Sequence, residues 1–346
     1  MRKGKSVKQK RVAAANKNSM SDMDALFESF INSKIAEGRA ESTVDKYRLY
    51  YRFFGEYLDD KGIDRDVRII STKVIRDYVA WMLEDRVKFA GHKYKPDKAK
   101  TLGLSPCSVN DRLKSLKTIF RFFESENVIE SNPAQSIKYV REVDEDVQIL
   151  TTDELRALLN APDQRKYSDF RDYVLMTLLI DSFMRINEAT SIKQFDVDFS
   201  AQIVTVRAVV AKSRKTRIIP LQKKTVSLLR ELLKETEEFE SDYVFLANYG
   251  ERLQPNHFRN QLRKYAKRAG IDRRVHPHLF RHTGATMALE AGMDIRHLQM
   301  LMGHSDLRML IRYTHLSQKS LKKQHADFSP LNEVLGKLNK DRKIKR

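Results

Sequence analysis

Cysteine is nearly missing: Cys107 is the single one in 346 residues. That excludes an internal disulfide framework and a cysteine-built metal cage, and it fits a reducing cytoplasmic setting. There is no run of about 18 apolar residues, so nothing is expected to span a membrane. The first twenty residues lack any acid, while Arg2, Lys3, Lys5, Lys8, Lys10, Arg11 and Lys17 all fall there. They also lack an apolar core, which excludes a secretory signal. Internal repeats and low-complexity segments are absent too. No compact group of Asp and Glu stands near the histidine-rich part of the chain, so a carboxylate-held catalytic metal is not expected.

What the chain does have is positive charge. Lys and Arg number 65 against 46 acids, a formal net charge of +19. Such an excess points to a polyanionic partner, nucleic acid above all. The length suffices for two domains.

Read in order, residues 1–20 form a basic arm without an apolar pattern. Residues 21–135 read as a helical domain. Leu26, Phe27, Phe30 and Ile31 mark a first helix, closed by Gly38. Val44, Tyr47, Tyr51, Phe54 and Leu58 mark a second, with Lys46 and Arg48 elsewhere around it. A third is expected from Thr72 to Val87, then a polar loop over 88–105. Ser108–Ser125 carries a stripe of Leu113, Leu116, Ile119, Phe120 and Phe123, with Lys114, Lys117 and Arg121 as a basic row. Residues 136–148 have no apolar period and read as a linker.

Residues 149–328 read as a second, mixed domain. Thr151 to Glu154 is a helix start with acids in its first turn. Tyr173–Phe183 is apolar enough to be a buried helix, and Ile186–Lys193 a short one. Ile203–Val206 and Arg217–Pro220 read as strands, joined by a basic turn holding Lys212, Arg214 and Lys215. Helices are expected over Lys223–Glu235 and Asn256–Ala269, the latter exposing Arg259 and Arg263. Two more carry residues 276–316. The tail, 329–346, shows Leu331, Val334, Leu335 and Leu338 at helical spacing, a candidate for docking on a neighbouring copy.

The chemistry concentrates in 276–316. His278 and Arg281 share a helix face; Gly303-His304 follows about one helix later, and Tyr313 nine residues after His304. Cations, a second imidazole and a phenol are what a metal-free enzyme needs to attack a phosphodiester: the phenol as nucleophile, the cations on the phosphate oxygens. Arg185 and Lys212 are two further cationic candidates upstream. His278 and His282 also have the i, i+4 spacing of a zinc pair, but no Glu follows in a His-Glu-x-x-His sense and Arg281 beside them would repel a dication.

These motifs resemble those of the tyrosine recombinases, the phage-integrase family. Arg185 stands in Met-Arg-Ile-Asn-Glu-Ala like the family's first arginine box. Lys212 opens Lys-Ser-Arg-Lys-Thr-Arg like its hairpin lysine. His278-Leu-Phe-Arg281-His282, Leu-Met-Gly-His304 and Tyr313 follow in the family's order. Asn187 and Met184 depart from the usual arginine box without removing a catalytic group. Only about twenty residues precede the first helix, so the layout resembles Xer-like or transposon-type members rather than those with an arm-binding domain.

The resemblance implies a multidomain fold: a helical, SAM-like core-binding domain and a mostly helical catalytic domain with a small antiparallel sheet, closing as a C-shaped clamp on double-stranded DNA. It implies Tyr313 as nucleophile, Arg185, Arg281 and His304 on the phosphate oxygens, His278 as proton acceptor and Lys212 as acid. Glu188 and His282 would support them. No cofactor is implied. A homotetramer on two sites and an accessory excision factor would be the partners, with Lys46, Arg48, Lys114, Lys117, Arg121, Arg214, Lys215, Arg259 and Arg263 as candidate DNA contacts. Two other readings stand beside it: a type IB topoisomerase-like enzyme and a DNA-binding regulator without catalysis.

Overall fold

The computed structural model describes residues 21–88, 97, 100–142, 148–303, 306, 325–327 and 329–332. His304, Tyr313, the basic arm 1–20 and the tail positions Val334, Leu335 and Leu338 lie outside them. The chain divides into two compact units, Met1–Asp144 and Glu145–Arg346.

In the first unit, four helices enclose an aromatic-rich core. Asp22 caps α1 (Met23–Ala36) by accepting from the Asp24 amide, and Gly38 follows with a positive φ of 66°. In α2 (Glu41–Asp60), Tyr51 stacks on Phe27 with ring centroids 3.8 Å apart. Ser71 caps α3 (Thr72–Glu84), which ends three residues before Val87. Val87 instead bridges Leu102 as an antiparallel pair. The next turn needs Gly103: its φ is +75°, and a Cβ would sit 2.2 Å from the Leu83 carbonyl oxygen. Pro106 then opens α4 (Pro106–Ser125), whose Leu113, Leu116, Ile119, Phe120 and Phe123 are all buried.

The segment read as the start of a linker is fixed along α4. The Asn110 side chain pairs with the Val140 peptide, accepting from its N–H and donating to its carbonyl, both at 2.8 Å. Ile137 is buried, and its carbonyl accepts from Lys117 Nζ at 2.6 Å. A side-chain amide mimicking a strand ladder leaves no periodicity in the sequence to read.

The second unit is helical around a three-stranded antiparallel sheet in the order β1-β2-β3. A reciprocal capping box, Thr151 with Glu154, starts α5 (Thr152–Asn160). Buried on most sides, α6 (Tyr167–Ser182) ends where Phe183 turns left-handed at φ 53°. Only one turn of helix follows, α7 (Ile186–Ala189), shorter than the sequence suggests. Past it, Lys193 and Asp196 form a 3₁₀ turn leading into β1 (Val197–Asp198), a strand the sequence does not announce. β2 (Ile203–Val206) pairs with β3 (Arg217–Pro220) from Ile203↔Pro220 to Val206↔Arg217. Then come α8 (Lys223–Lys234), α9 (Pro255–Arg268), α10 (Pro277–Glu290) and α11 (Ile295–Met302). Tyr243–Leu246 forms only isolated bridges, Lys193↔Tyr243 and Leu246↔Arg252. Its apolar run is explained by burial of Val244, Phe245 and Leu246. Among the described residues no helix is long and apolar enough to cross a membrane.

Two anchors fix the start of this unit. The Leu150 amide donates to Thr283 Oγ1 on α10 at 2.9 Å, and Arg273 Nη2 donates to the Ile149 carbonyl at 2.5 Å. Of the tail stripe, Leu331 is described and is exposed.

Candidate active site

The site begins where α10 meets the end of α6. Gly284 lets the two approach: a Cβ there would lie 2.9 Å from Phe183 ring carbons and 3.1 Å from the Ile180 carbonyl oxygen. Arg281 stands one turn earlier on the same face. It is 3% exposed, an unusual position for a charged side chain. Its Nη1 donates to the Phe183 carbonyl and its Nη2 to the Met302 carbonyl, the latter at 2.7 Å. The left-handed turn of Phe183, costly for a residue with a Cβ, therefore aims a carbonyl at this guanidinium. Arg281 thus joins the ends of α6 and α11.

Arg185 is the N-cap of α7. Its amide donates to Glu188 Oε2 at 3.0 Å and its Nη1 to Glu188 Oε1 at 3.1 Å. Among the described residues its other guanidinium nitrogens make no hydrogen bond. Glu188 is almost wholly buried. Burial raises its pKa, but hydrogen bonds and charge from Arg217, with those from Arg185, outweigh that and hold it below the usual value. It is ionised at neutral pH.

Arg217 was not among the candidates from sequence. Its Nη2 donates to Glu188 Oε2 at 2.6 Å, its Nη1 to Oε1 at 3.3 Å, and its Nε to the Leu301 carbonyl at 2.9 Å. A signal did exist. Strand side chains alternate, so Arg217 shares a face with Ile219, which is buried, while Ile218 between them is 59% exposed.

His278, on the first turn of α10, is open to solvent on one side. Partial desolvation, then the charges of His276, Arg281, Arg185 and Arg259, lower its pKa from 6.5. These neighbours place His278, Arg185 and Arg281 within one electrostatic field. The ring is neutral at pH 7 and can accept a proton. A reaction that uses this ring as its base should therefore keep its second-order rate level as pH falls to about 6.5 and lose it only below that. That rate reports the free enzyme; a decline beginning well above 6.5 in its pH profile would contradict the assignment.

Lys212 lies exposed in the turn between β2 and β3, five residues before Arg217. Among the described residues it has no ion pair. His282 is half-buried on α10, with its ring centroid 6.5 Å from that of His278. Among the described residues no group of three or more His, Cys, Asp or Glu could hold a metal ion.

The outer basic positions differ in their engagements. Lys46 Nζ pairs with Asp111 at 3.0 Å and lies over the Tyr50 ring. Both line a cleft of about 250 Å³ together with Lys114. Arg48 pairs with Asp45 at 3.5 Å. Lys117, half-exposed, donates to the Ile137 carbonyl and lies over the Tyr139 ring. Lys114, Arg121, Arg214, Lys215 and Arg263 are exposed. Arg259 lines a polar cleft of about 460 Å³ with Asn187, Gln254 and Asn256.

Residues 148–320 match the phage integrase family. Tyrosine recombinase XerC of Chlamydia trachomatis is 34% identical over 229 residues, 65% of this chain and 72% of that protein. Tyrosine recombinase XerD of Listeria monocytogenes is 28% identical over 315 residues, 89% and 99% of the two chains. Among solved structures, the Tn1549 transposon integrase in complex with a circular intermediate DNA aligns with a TM-score of 0.68 at 18% identity. It covers 88% of this chain and 99% of that one. XerH recombinase bound to its difH substrate aligns at 0.65 and 21%, over 85% and 82%. The chain belongs to the phage integrase family and is a tyrosine recombinase, with the helical, small-sheet fold expected of it.

Proposed function

We propose that the chain is a site-specific recombinase that integrates and excises a mobile element by cutting and rejoining double-stranded DNA through a 3′-phosphotyrosine at Tyr313. The observation that supports it best is that Arg185 shares the buried Glu188 with Arg217 while the charges of Arg185 and Arg281 both act on His278. A guanidinium matches phosphate oxygens bidentately, and Arg185 keeps donors in reserve. Negative charge developing on the nonbridging oxygens is met by these cations and by His304. His278 takes the phenol proton, and Lys212 gives one to the leaving 5′-oxygen. The phosphotyrosyl ester replaces the phosphodiester, so no ATP is consumed. The 5′-hydroxyl of a second strand then attacks the ester, and two such exchanges pass through a Holliday junction in a homotetramer. The Tn1549 neighbour, a transposon integrase, favours the mobile-element role.

The test is covalent trapping on a suicide half-site whose short downstream fragment, released with a free 5′-hydroxyl, diffuses away. The full chain should form an adduct joined at Tyr313 through a DNA 3′-phosphate, with or without EDTA. An adduct at another residue, or one requiring a divalent metal, would remove the mechanism. Deletion between two cognate sites on one plasmid separates recombination from the simple relaxation of a topoisomerase. Doing so with and without host extract asks whether an accessory excision factor is needed.

The role of Lys212 has its own expected outcome. Lys212→Ala should slow cleavage of ordinary DNA by about 10²-fold or more, the worth of one general acid. A sulfur in the 5′-bridging position leaves without a proton, so that substrate should restore the rate to near that of the parent. Equal slowing on both substrates would exclude Lys212 as the acid.

A further inference from the structure

Three groups proposed to act on the phosphate leave the backbone at separate places: Arg185 before α7, Lys212 in the β2–β3 turn, and His304 after the end of α11. One side chain touches all three neighbourhoods. Arg217 is the first residue of β3, on the strand that descends from the Lys212 turn. It holds both oxygens of Glu188, the same carboxylate that holds Arg185. Its Nε holds the carbonyl of Leu301, two residues before Gly303. At Gly303 the chain turns left-handed, φ 61°, and a Cβ there would stand 3.1 Å from Arg217 Nη1. The guanidinium is therefore packed directly against Gly303, the residue before His304 in the chain.

We propose that Arg217 is a positioning residue for DNA cleavage. It acts through Glu188 on Arg185, and through the end of α11 on Gly303, the residue before His304 in the chain. The inference rests on the proposed roles of Arg185 and His304. Glu188 offers two oxygens, and Arg217 takes the shorter bond, 2.6 Å against 3.1 Å for Arg185. Without Arg217 the buried carboxylate would have Arg185 as its only guanidinium partner among the described residues. It would then draw that side chain inward, with more of its donors spent on carboxylate and fewer on phosphate. The Leu301 carbonyl would lose its donor at the same time. Arg217 does not need to touch DNA for either effect.

The test uses the full chain and the suicide half-site. Arg217→Met keeps the aliphatic stem and removes the fork. Arg217→Lys keeps the charge beside Glu188, so it preserves folding should the Met variant fail to fold, yet one ammonium cannot replace a fork holding both Glu188 and Leu301. The Met variant should cleave about 30-fold slower at saturating enzyme, and the Lys variant about tenfold slower, with half-site Kd within about twofold of the parent. A merely structural role would not predict the next result. On an Arg185→Lys background, adding Arg217→Met should cost less than about threefold more, because residues acting as one unit are not additive.

The inference is overturned by full additivity, by a loss confined to DNA affinity, or by folded Met and Lys variants that cleave within about twofold of the parent. If the parent chain itself forms no adduct, the proposed function fails. If the parent forms one and the Arg217 variants match it, only the positioning role fails.

Discussion

Tyr313→Phe should abolish the covalent protein–DNA adduct while half-site binding stays within about twofold of the parent. The substitution removes one oxygen and leaves the ring, so the loss is one of chemistry. Removing a covalent nucleophile costs on the order of 10⁶-fold in a serine protease. No other hydroxyl is expected to take its place, because a phenol ionises far more readily than the hydroxyl of Ser or Thr. The measurement is a denaturing gel of labelled half-site with mass spectrometry of any adduct. A persisting adduct would move the nucleophile elsewhere. Equal binding with no adduct from either protein would instead favour a regulator that only binds DNA.

The second large effect is expected at Arg281, where structure and chemistry coincide. Arg281→Ala should reduce cleavage by about 10³-fold, the order seen when one donor to a developing oxyanion is lost. It should also lower stability by about 2–5 kcal/mol, because the Phe183 and Met302 carbonyls each lose a donor in a buried place. Arg281→Lys is not a rescue. An ammonium cannot reach two carbonyls on separate helix ends and still face a phosphate. Chemical denaturation and single-turnover cleavage measured together check the pair of effects. Full stability with lost cleavage would show that the carbonyl contacts contribute little. Full cleavage with lost stability would remove Arg281 from the phosphate.

The helical framework was legible wherever burial follows a period. The stripes of α1, α2 and α4 lie inside as the spacing of Phe27, Tyr51 and Leu116 suggests. The ends were less legible, because they rest on particular contacts. α3 stops before Val87 because Val87 pairs with Leu102, and α7 is one turn long because the next amides, of Ser191 and Ile192, fall back on the Glu188 and Ala189 carbonyls three residues earlier. Residues 136–142 looked like a linker because Asn110, not an apolar pattern, holds them. In the site, the motifs pointed to Arg185, His278 and Arg281, which share one field. They did not point to Arg217, whose partners are 29 residues before it and 84 after. Such contacts carry no spacing to read; only the alternation of β3 marks the side chain as inward.

The apolar mooring of α11 is small. Phe183, Ala285, Leu289, Leu298 and Met302 form a cluster apart from the main core of the unit, with Leu301 touching both. Beyond it, the described ties of α11 to the rest of the unit include two guanidinium–carbonyl bonds, at Leu301 and Met302. A segment so moored has a local free energy of detachment, set by a handful of groups and lower than that of global unfolding. α11 is thus held by a thermodynamic latch of its own, distinct from the contacts that hold the hydrophobic interior.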